Sequence, residues 1–317
     1  MLVLREADGS YSSKGKPVKD KDILAYIAAL VIPPKYRNVE IYIHRKQGRI
    51  SAPPKLTYKG IDEAGRIQYG YSEAWKIKSR KKKFSDLIEF GRALPRIKMA
   101  IQKIPPNAAD KDYNIATILR VVMSCHFRLG NLRYKDMYNS YGATNLEVRH
   151  ISFPKYGARI QFVGKKGVKN TCKIEDAALV GHLKRLVDGK SPKDPVFSYV
   201  FEDCVSPVRA ADVNAWMGQF GKNITSKMFR TYAANVTLID MLNSPPSSKD
   251  SDRKKSLNAA LDTISELIHN TRAVCRKEYI HPGLIEMYLG HPIKWKRAFV
   301  AKDLSPEAEF LAYLRSP

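Results

Sequence analysis

Between Ser85 and Ile104 the chain reads SDLIEFGRALPRIKMAIQKI, and the period of this stretch separates two kinds of architecture. Leu87, Phe90, Leu94, Ile97, Ile101 and Ile104 recur at alternating steps of three and four, one face of a helix. Pro95 lies inside that stripe and is expected to kink or divide the helix, and Pro105-Pro106 ends it. Upstream the period is two. Val39-Glu40-Ile41-Tyr42-Ile43 alternates as a strand does, and Leu56-Thr57-Tyr58 pairs with Ile67 to Tyr71 across a turn at Asp62 to Arg66. Gly65 supplies positive φ there. The run Lys76 to Lys83, KIKSRKKK, reads as an exposed linker between the two regimes.

Downstream, a second helix is expected from about Tyr113 to Leu129, with Gly130 as its stop. Strands follow at 145–153, 158–163 and 168–174, turning at Pro154 to Gly157 and at Gly164-Lys165-Lys166-Gly167. Helices return at 176–188, 209–221, 226–242 and 255–269, with a polar loop from Asn243 to Lys255 and a short helix after Pro282. The fold class is therefore α+β. A small β-rich N-terminal domain (1–80) precedes a larger, mainly α-helical domain (81–317) that carries a three-stranded sheet. The 317 residues agree with two domains at about 150 residues each.

Composition narrows the function. The chain carries 55 Lys and Arg against 31 Asp and Glu, a formal net charge of +24, and basic residues outnumber acidic ones on both sides of residue 80. Such a chain repels itself unless a polyanion neutralises it, so nucleic acid is the expected partner, ahead of an anionic membrane surface. No apolar run is long enough to span a membrane, and Met1 to Asp20 predicts no secretory leader. Cys125, Cys172, Cys204 and Cys275 are widely spaced, without the spacing of a zinc site, so reduced thiols and no structural metal are expected. The absence of a Gly-rich phosphate loop disfavours an ATP-driven motor.

A basic nucleic-acid enzyme without a carboxylate cluster for metals can still move a phosphoryl group. Arginines donate paired hydrogen bonds to phosphate oxygens, and a lysine serves as acid where neighbouring cations lower its pKa. Four segments suit this chemistry: Phe127-Arg128-Leu129-Gly130-Asn131-Leu132-Arg133-Tyr134, Phe162-Val163-Gly164-Lys165, Thr225-Ser226-Lys227-Met228-Phe229-Arg230-Thr231-Tyr232 and Asn270 to Tyr279 (NTRAVCRKEY). Each is weak alone. Arg128 also reads as a cation at a helix C-terminus, Lys165 and Lys166 as turn residues, Arg230 as a solvated helix residue, and Tyr279 as one of 17 tyrosines.

In this order the segments resemble the type IB DNA topoisomerases, in the compact form of poxviruses and some bacteria. The resemblance covers most of the chain and starts at Gly65-Arg66-Ile67-Gln68-Tyr69-Gly70-Tyr71, which looks like the family's DNA-contacting strand. It implies a type I topoisomerase, a single-strand breaking and rejoining isomerase that relaxes supercoiled duplex DNA without ATP. Tyr279 would attack a phosphodiester and leave a 3′-phosphotyrosyl link; Arg128 and Arg230 would bind the non-bridging oxygens, and Lys165 would protonate the departing 5′ oxygen. Viral and eukaryotic members usually place a histidine nine positions before the tyrosine. Here Asn270 fills that slot, as in bacterial members, unless a one-residue shift brings in His269. Arg66, Gln68, Tyr69, Tyr71, Arg133 and Tyr134 are the DNA-contact candidates, with Arg66 and Gln68 suited to base edges; the tyrosines read equally as strand aromatics.

The alternative is a tyrosine recombinase or integrase, which shares the catalytic fold. Recombinases generally show His-x-x-Arg at the second arginine, where this chain has Lys227-Met228-Phe229-Arg230, and their N-terminal domain is usually helical. The resemblance further implies a monomer closing as a C-shaped clamp on double-stranded DNA. It also implies no cofactor, no membrane partner, and a place inside the cell with DNA: virion or host cytoplasm or nucleus for a virus, cytoplasm or nucleoid for a bacterium.

Overall fold

The computed structural model describes residues 1–46, 48–51, 53, 55–300 and 303–316. The chain splits into two units, Met1–Lys83 and Phe84–Pro317.

In the first unit the strands are β1 (Leu2–Arg5), β2 (Tyr11–Ser13), β3 (Lys16–Pro17), then helix α1 (Lys21–Ala29), then β4 (Arg37–Tyr42), β5 (His44–Lys46), β6 (Arg49–Ser51), β7 (Leu56–Ile61) and β8 (Ile67–Tyr71). An antiparallel sheet runs in the order β3-β2-β1-β4-β7-β8, and β5 pairs with β6 apart from it. The period of two sends Val3, Val39 and Ile41 inward, where they meet Ile23 and Ile27 of α1 in a small core. Asp20 caps α1 by accepting from the N–H groups of Asp22 and Ile23. Strand β8 turns Ile67, Tyr69 and Tyr71 to solvent and Gly70 inward, where a Cβ would stand 2.1 Å from the Tyr58 ring.

The unit boundary falls inside α2 (Glu73–Lys103), so the run 76–83 is helix and not the expected linker. Lys and Arg are good helix formers, and Ser72 starts the helix by accepting from the Trp75 N–H at 3.2 Å. The helix also continues through Pro95 instead of dividing there. Phe90, Ala93, Leu94 and Ile97 are buried around the proline, and that packing outweighs the lost hydrogen bond.

The second unit continues with α3 (Lys111–Cys125), α4 (Leu132–Tyr138), β9 (Ile151–Ser152), β10 (Ala158–Val163), β11 (Lys169–Ile174), α5 (Ala177–Val187) and the hairpin β12 (Ser198–Phe201) and β13 (Cys204–Pro207). It ends with α6 (Ala210–Gly218), α7 (Lys227–Met241), α8 (Asp250–Leu267), α9 (Arg272–Glu278), α10 (Pro282–Gly290), α11 (Pro292–Phe299) and α12 (Pro306–Arg315). Its centre is α3, buried almost all round through Tyr113, Ile115, Ala116, Ile118, Leu119, Val121 and Val122. The helix stops at His126, in the left-handed region at φ 51°, and not at Gly130. Arg128 is therefore not a helix-terminal cation.

Strands β11-β10-β9 form the expected small antiparallel sheet, but the stretch 145–153 shrinks to Ile151–Ser152. Single turns of 3-10 helix at Ala143–Asn145 and Val148–His150 take the rest. Helix α8 starts at Asp250, inside the expected loop. Asp250 and Asp252 suit its positive end, and buried Arg253 donates to the carbonyls of Ser247 and Ser248. The expectation of reduced thiols also fails: Cys125 and Cys172 form a disulfide that ties α3 to β11, while Cys204 and Cys275 are free. Their proximity comes from the sheet packing on α3, which the spacing of cysteines along the chain does not show. Among the described residues, no helix is long and apolar enough to cross a membrane.

Candidate active site

After His126 the chain leaves α3 and runs under a tight turn. Gly130 N–H donates to Thr144 Oγ1 at 3.0 Å, Gly142 N–H to Asn145 Oδ1 at 2.7 Å, and Ala143 N–H to the Arg128 carbonyl at 2.8 Å. Two glycines make this approach possible. A Cβ on Gly130 would lie 1.9 Å from Asn145 Oδ1, and one on Gly142 would lie 2.6 Å from the Arg128 carbonyl oxygen. Phe127 anchors the segment in the core, edge-on to Phe162 of β10. The Arg128 backbone is thereby fixed, and its guanidinium is free to point at the site.

Arg230 sits on α7 with 2% of its surface exposed. Its Nη1 donates to the His126 carbonyl and its Nη2 to the Ile268 carbonyl at 2.5 Å. One buried cation thus staples the end of α3 to the end of α8. Arg230 Nε and His126 Nδ1 are buried without a partner among the described residues. Burial first, then the Arg230 charge and proximity to His269, push the His126 imidazole down to about 4, so it is neutral at pH 7.

Tyr279 closes α9 and is 6% exposed. Its hydroxyl oxygen accepts from Arg128 Nη2 at 3.2 Å and from Arg230 Nη2 at 3.4 Å. Arg128 Nη2 also donates to Asn270 Oδ1 at 2.9 Å, and Asn270 Nδ2 donates to the Ile268 carbonyl at 3.0 Å. Burial raises the phenol. Arg230 and Arg128, with hydrogen bonds from Arg230 and Asn270, outweigh that and leave it below the ordinary tyrosine value. His269, the other candidate for this slot, turns away from Tyr279 and places Nε2 at 3.0 Å from the Cys125 carbonyl.

Lys165 is not brought to this group. It stands exposed on a 3-10 turn (Lys165–Gly167) between β10 and β11, with no hydrogen bond or ion pair among the described residues. The side chain of Lys166 lies outside the described residues. In the first unit, Arg66 Nε and Gln68 Nε2 both donate to Asp62 Oδ2, at 2.8 and 2.9 Å, and the bonds from Arg66 lead in holding that carboxyl at about 2. Tyr69 and Tyr71 are exposed with ring centroids 6.4 Å apart. Arg133 and Tyr134 stand exposed on α4, a helix with no buried residue, held by Lys135 paired to buried Glu147 at 2.9 Å.

Sequence reasoning missed Asn235. It is fully buried on α7, where Nδ2 donates to the Tyr279 carbonyl at 2.8 Å and Oδ1 accepts from the His281 N–H at 2.7 Å. An amide in the apolar stripe of a helix was the available signal. Thr144 and Asn145 were missed too; nothing local distinguishes them.

A buried tyrosine whose hydroxyl is faced by two arginines, one of them bridged to an asparagine, is an arrangement that can hold a phosphate oxygen beside a phenol. The comparisons give the family. Residues 72–298 match the family model described as eukaryotic DNA topoisomerase I, catalytic core, so the chain belongs to that family. DNA topoisomerase 1B of Acanthamoeba polyphaga mimivirus is 28% identical over 309 residues, covering 92% of this chain and 88% of the viral protein. DNA topoisomerase 1 of Mycosarcoma maydis is 24% identical over 208 residues, covering 59% of this chain and 20% of the fungal protein. The mitochondrial DNA topoisomerase I of Rattus norvegicus is 23% identical over 175 residues, or 52% and 28%. The chain thus spans most of the viral relative and a fifth to just over a quarter of these two cellular ones. It is a type IB topoisomerase and not a recombinase, and the β-rich start followed by helices around β11-β10-β9 agrees with that family's catalytic fold.

Proposed function

We propose that this chain relaxes supercoiled duplex DNA by cutting one strand with Tyr279, letting it swivel, and resealing it without ATP. The observation that carries this reading is the convergence of Arg128 and Arg230 on the Tyr279 hydroxyl. The phenolate oxygen bonds to phosphorus as the bond from phosphorus to the 5′ oxygen breaks. Tyr279 gives its proton to water, and the departing oxygen takes one from the Lys165 ammonium. Arg128, Arg230 and Asn270 stabilise the charge on the non-bridging oxygens. The 5′ hydroxyl then attacks the 3′-phosphotyrosine and restores the strand, so the bond energy is conserved in the adduct. Lys165 is exposed on its turn, so the duplex must draw the hairpin in before cleavage.

The first unit and α4 supply DNA contacts in this reading, through Arg66, Gln68, Tyr69 and Tyr71, and through Arg133 and Tyr134. Residues 1–80 bind DNA and residues 81–317 break and rejoin it. The enzyme acts as a monomer, wherever in the cell or virion its DNA lies. Relaxation of positively and negatively supercoiled plasmid, in EDTA without ATP, is the test. The parent should relax both, Tyr279→Phe neither, and detergent should trap protein on a 3′ end. Unchanged relaxation by Tyr279→Phe, or protein trapped on a 5′ end, would overturn the reading.

A further inference from the structure

His269 lies beside the site without touching Tyr279, and it occupies a costly position. Its φ of 49° is in the left-handed region, which L side chains rarely adopt and glycine adopts freely. The imidazole spans the gap between two turns. Its Nε2 is 3.0 Å from the Cys125 carbonyl, and because a carbonyl only accepts, Nε2 carries the proton. Its ring lies on Phe127, with centroids 5.0 Å apart. Cys125 and Phe127 flank His126, the residue that turns the chain out of α3 towards Arg128. On its own side, His269 is followed directly by Asn270. Arg230 joins these same turns through the carbonyls of His126 and Ile268. His269 is thus a second, independent tie between the turn that carries Arg128 and the turn that carries Asn270.

We propose that His269 is a positioning residue: its hydrogen bond to Cys125 and its packing on Phe127 hold Arg128 in register with Asn270 and Tyr279. The Arg128 guanidinium reaches Asn270 Oδ1 at 2.9 Å and Tyr279 at 3.2 Å, so a small slip between the turns breaks both bonds. Burial, with Arg230 and Arg128 nearby, keeps the imidazole below its ordinary pKa against the hydrogen bond to Cys125, and Nε2 donates to that carbonyl whether or not the second ring nitrogen is protonated. The inference rests on Tyr279 being the nucleophile.

The test uses the full chain with His269→Gly, His269→Phe and His269→Gln. Glycine frees the backbone and removes the tie; phenylalanine keeps the ring contact and removes the donor. Glutamine keeps a donor at similar reach. Single-turnover adduct formation on a nicked suicide duplex at saturating DNA is measured beside duplex affinity. The Tyr279 phenol is titrated by 13Cζ-tyrosine NMR without DNA, assigned against Tyr279→Phe. Glycine and phenylalanine should slow adduct formation by about tenfold or more, leave affinity within about twofold, and raise the phenol pKa; glutamine should recover the rate to within about threefold. Parental rates in His269→Gly or His269→Phe would overturn the proposal, as would a glutamine variant as slow as the phenylalanine one or an unmoved phenol. Should His269→Phe fail to fold, the glycine and glutamine variants decide the matter. A parent protein that forms no adduct overturns the Tyr279 reading instead, and the NMR titration still tests His269.

Discussion

At the scale of single residues, Tyr279 is a phenol pulled in two directions. Burial favours the neutral form, and the charges of Arg230 and Arg128 favour the phenolate more strongly. Adduct formation should therefore rise with pH towards a plateau, with the midpoint of the rise below pH 10, where an ordinary tyrosine titrates. Arg128→Ala removes a charge that lowers the phenol and, in the proposed reaction, one donor to the phosphate. It should slow single-turnover cleavage about 100- to 1000-fold and move the plateau to higher pH. A rate loss with an unmoved plateau would mean that Arg128 acts on the phosphate alone. His126 makes a prediction about stability. Its folded pKa, about 4, lies below the ordinary 6.5, so its contribution is complete above pH 6.5 and is lost as pH falls towards 4. His126→Asn keeps a residue that tolerates φ 51° and removes the titration. Thermal melts of this variant should depend less on pH between 6.5 and 4 than those of the parent, and equal slopes would count against a buried neutral His126.

At the scale of elements, α2 carries an exposed Pro95 in its interior, where it leaves the Gly91 carbonyl without its helical partner. Pro95→Ala should restore that bond and raise stability by about 1–3 kcal/mol, read from denaturant unfolding, because no buried contact is lost. A destabilised variant would show that the proline sets a bend which the core requires. The same helix shows what sequence can reveal. The stripe from Leu87 to Ile101 and the alternation at Val39 to Ile43 were legible because each is a local period that ends in burial. Strands β1 to β3, helix α4 and the β12–β13 hairpin were not read, being too short to establish a period. The stretch 145–153 was misread because the Asn145 side chain closes the turn back to Gly142 and Glu147 pairs with Lys135, turning a strand-like sequence into single 3-10 turns. The site follows the same division. Arg128, Arg230, Asn270 and Tyr279 could be picked out as chemistry-bearing residues in order, whereas their supports Asn235, Thr144 and Asn145 depend on which helices meet. The disulfide joins residues 47 apart and belongs with those supports.

At the scale of the whole molecule, the net charge of +24 acts on folding and on DNA binding with opposite signs. Like charges repel in the folded state, so added salt should screen them and raise the melting temperature of the free protein. Binding to a duplex releases counterions, so the same salt should weaken it. A protein covering 6–10 phosphates loses roughly 10³- to 10⁵-fold in affinity between about 50 and 200 mM salt. Exposed ion pairs among the described residues do little against the first trend. Several, such as Lys35 with Glu63 and Lys254 with Asp250, lie exposed at the surface, where a pair contributes little. Melting temperature and duplex affinity measured over one salt series should therefore move in opposite directions, and saturating duplex at low salt should raise the melting temperature by satisfying the cations that salt otherwise screens. If both quantities fell together as salt rose, the basic surface would be stabilising the fold through internal pairing, and its excess charge would no longer argue for a polyanionic partner.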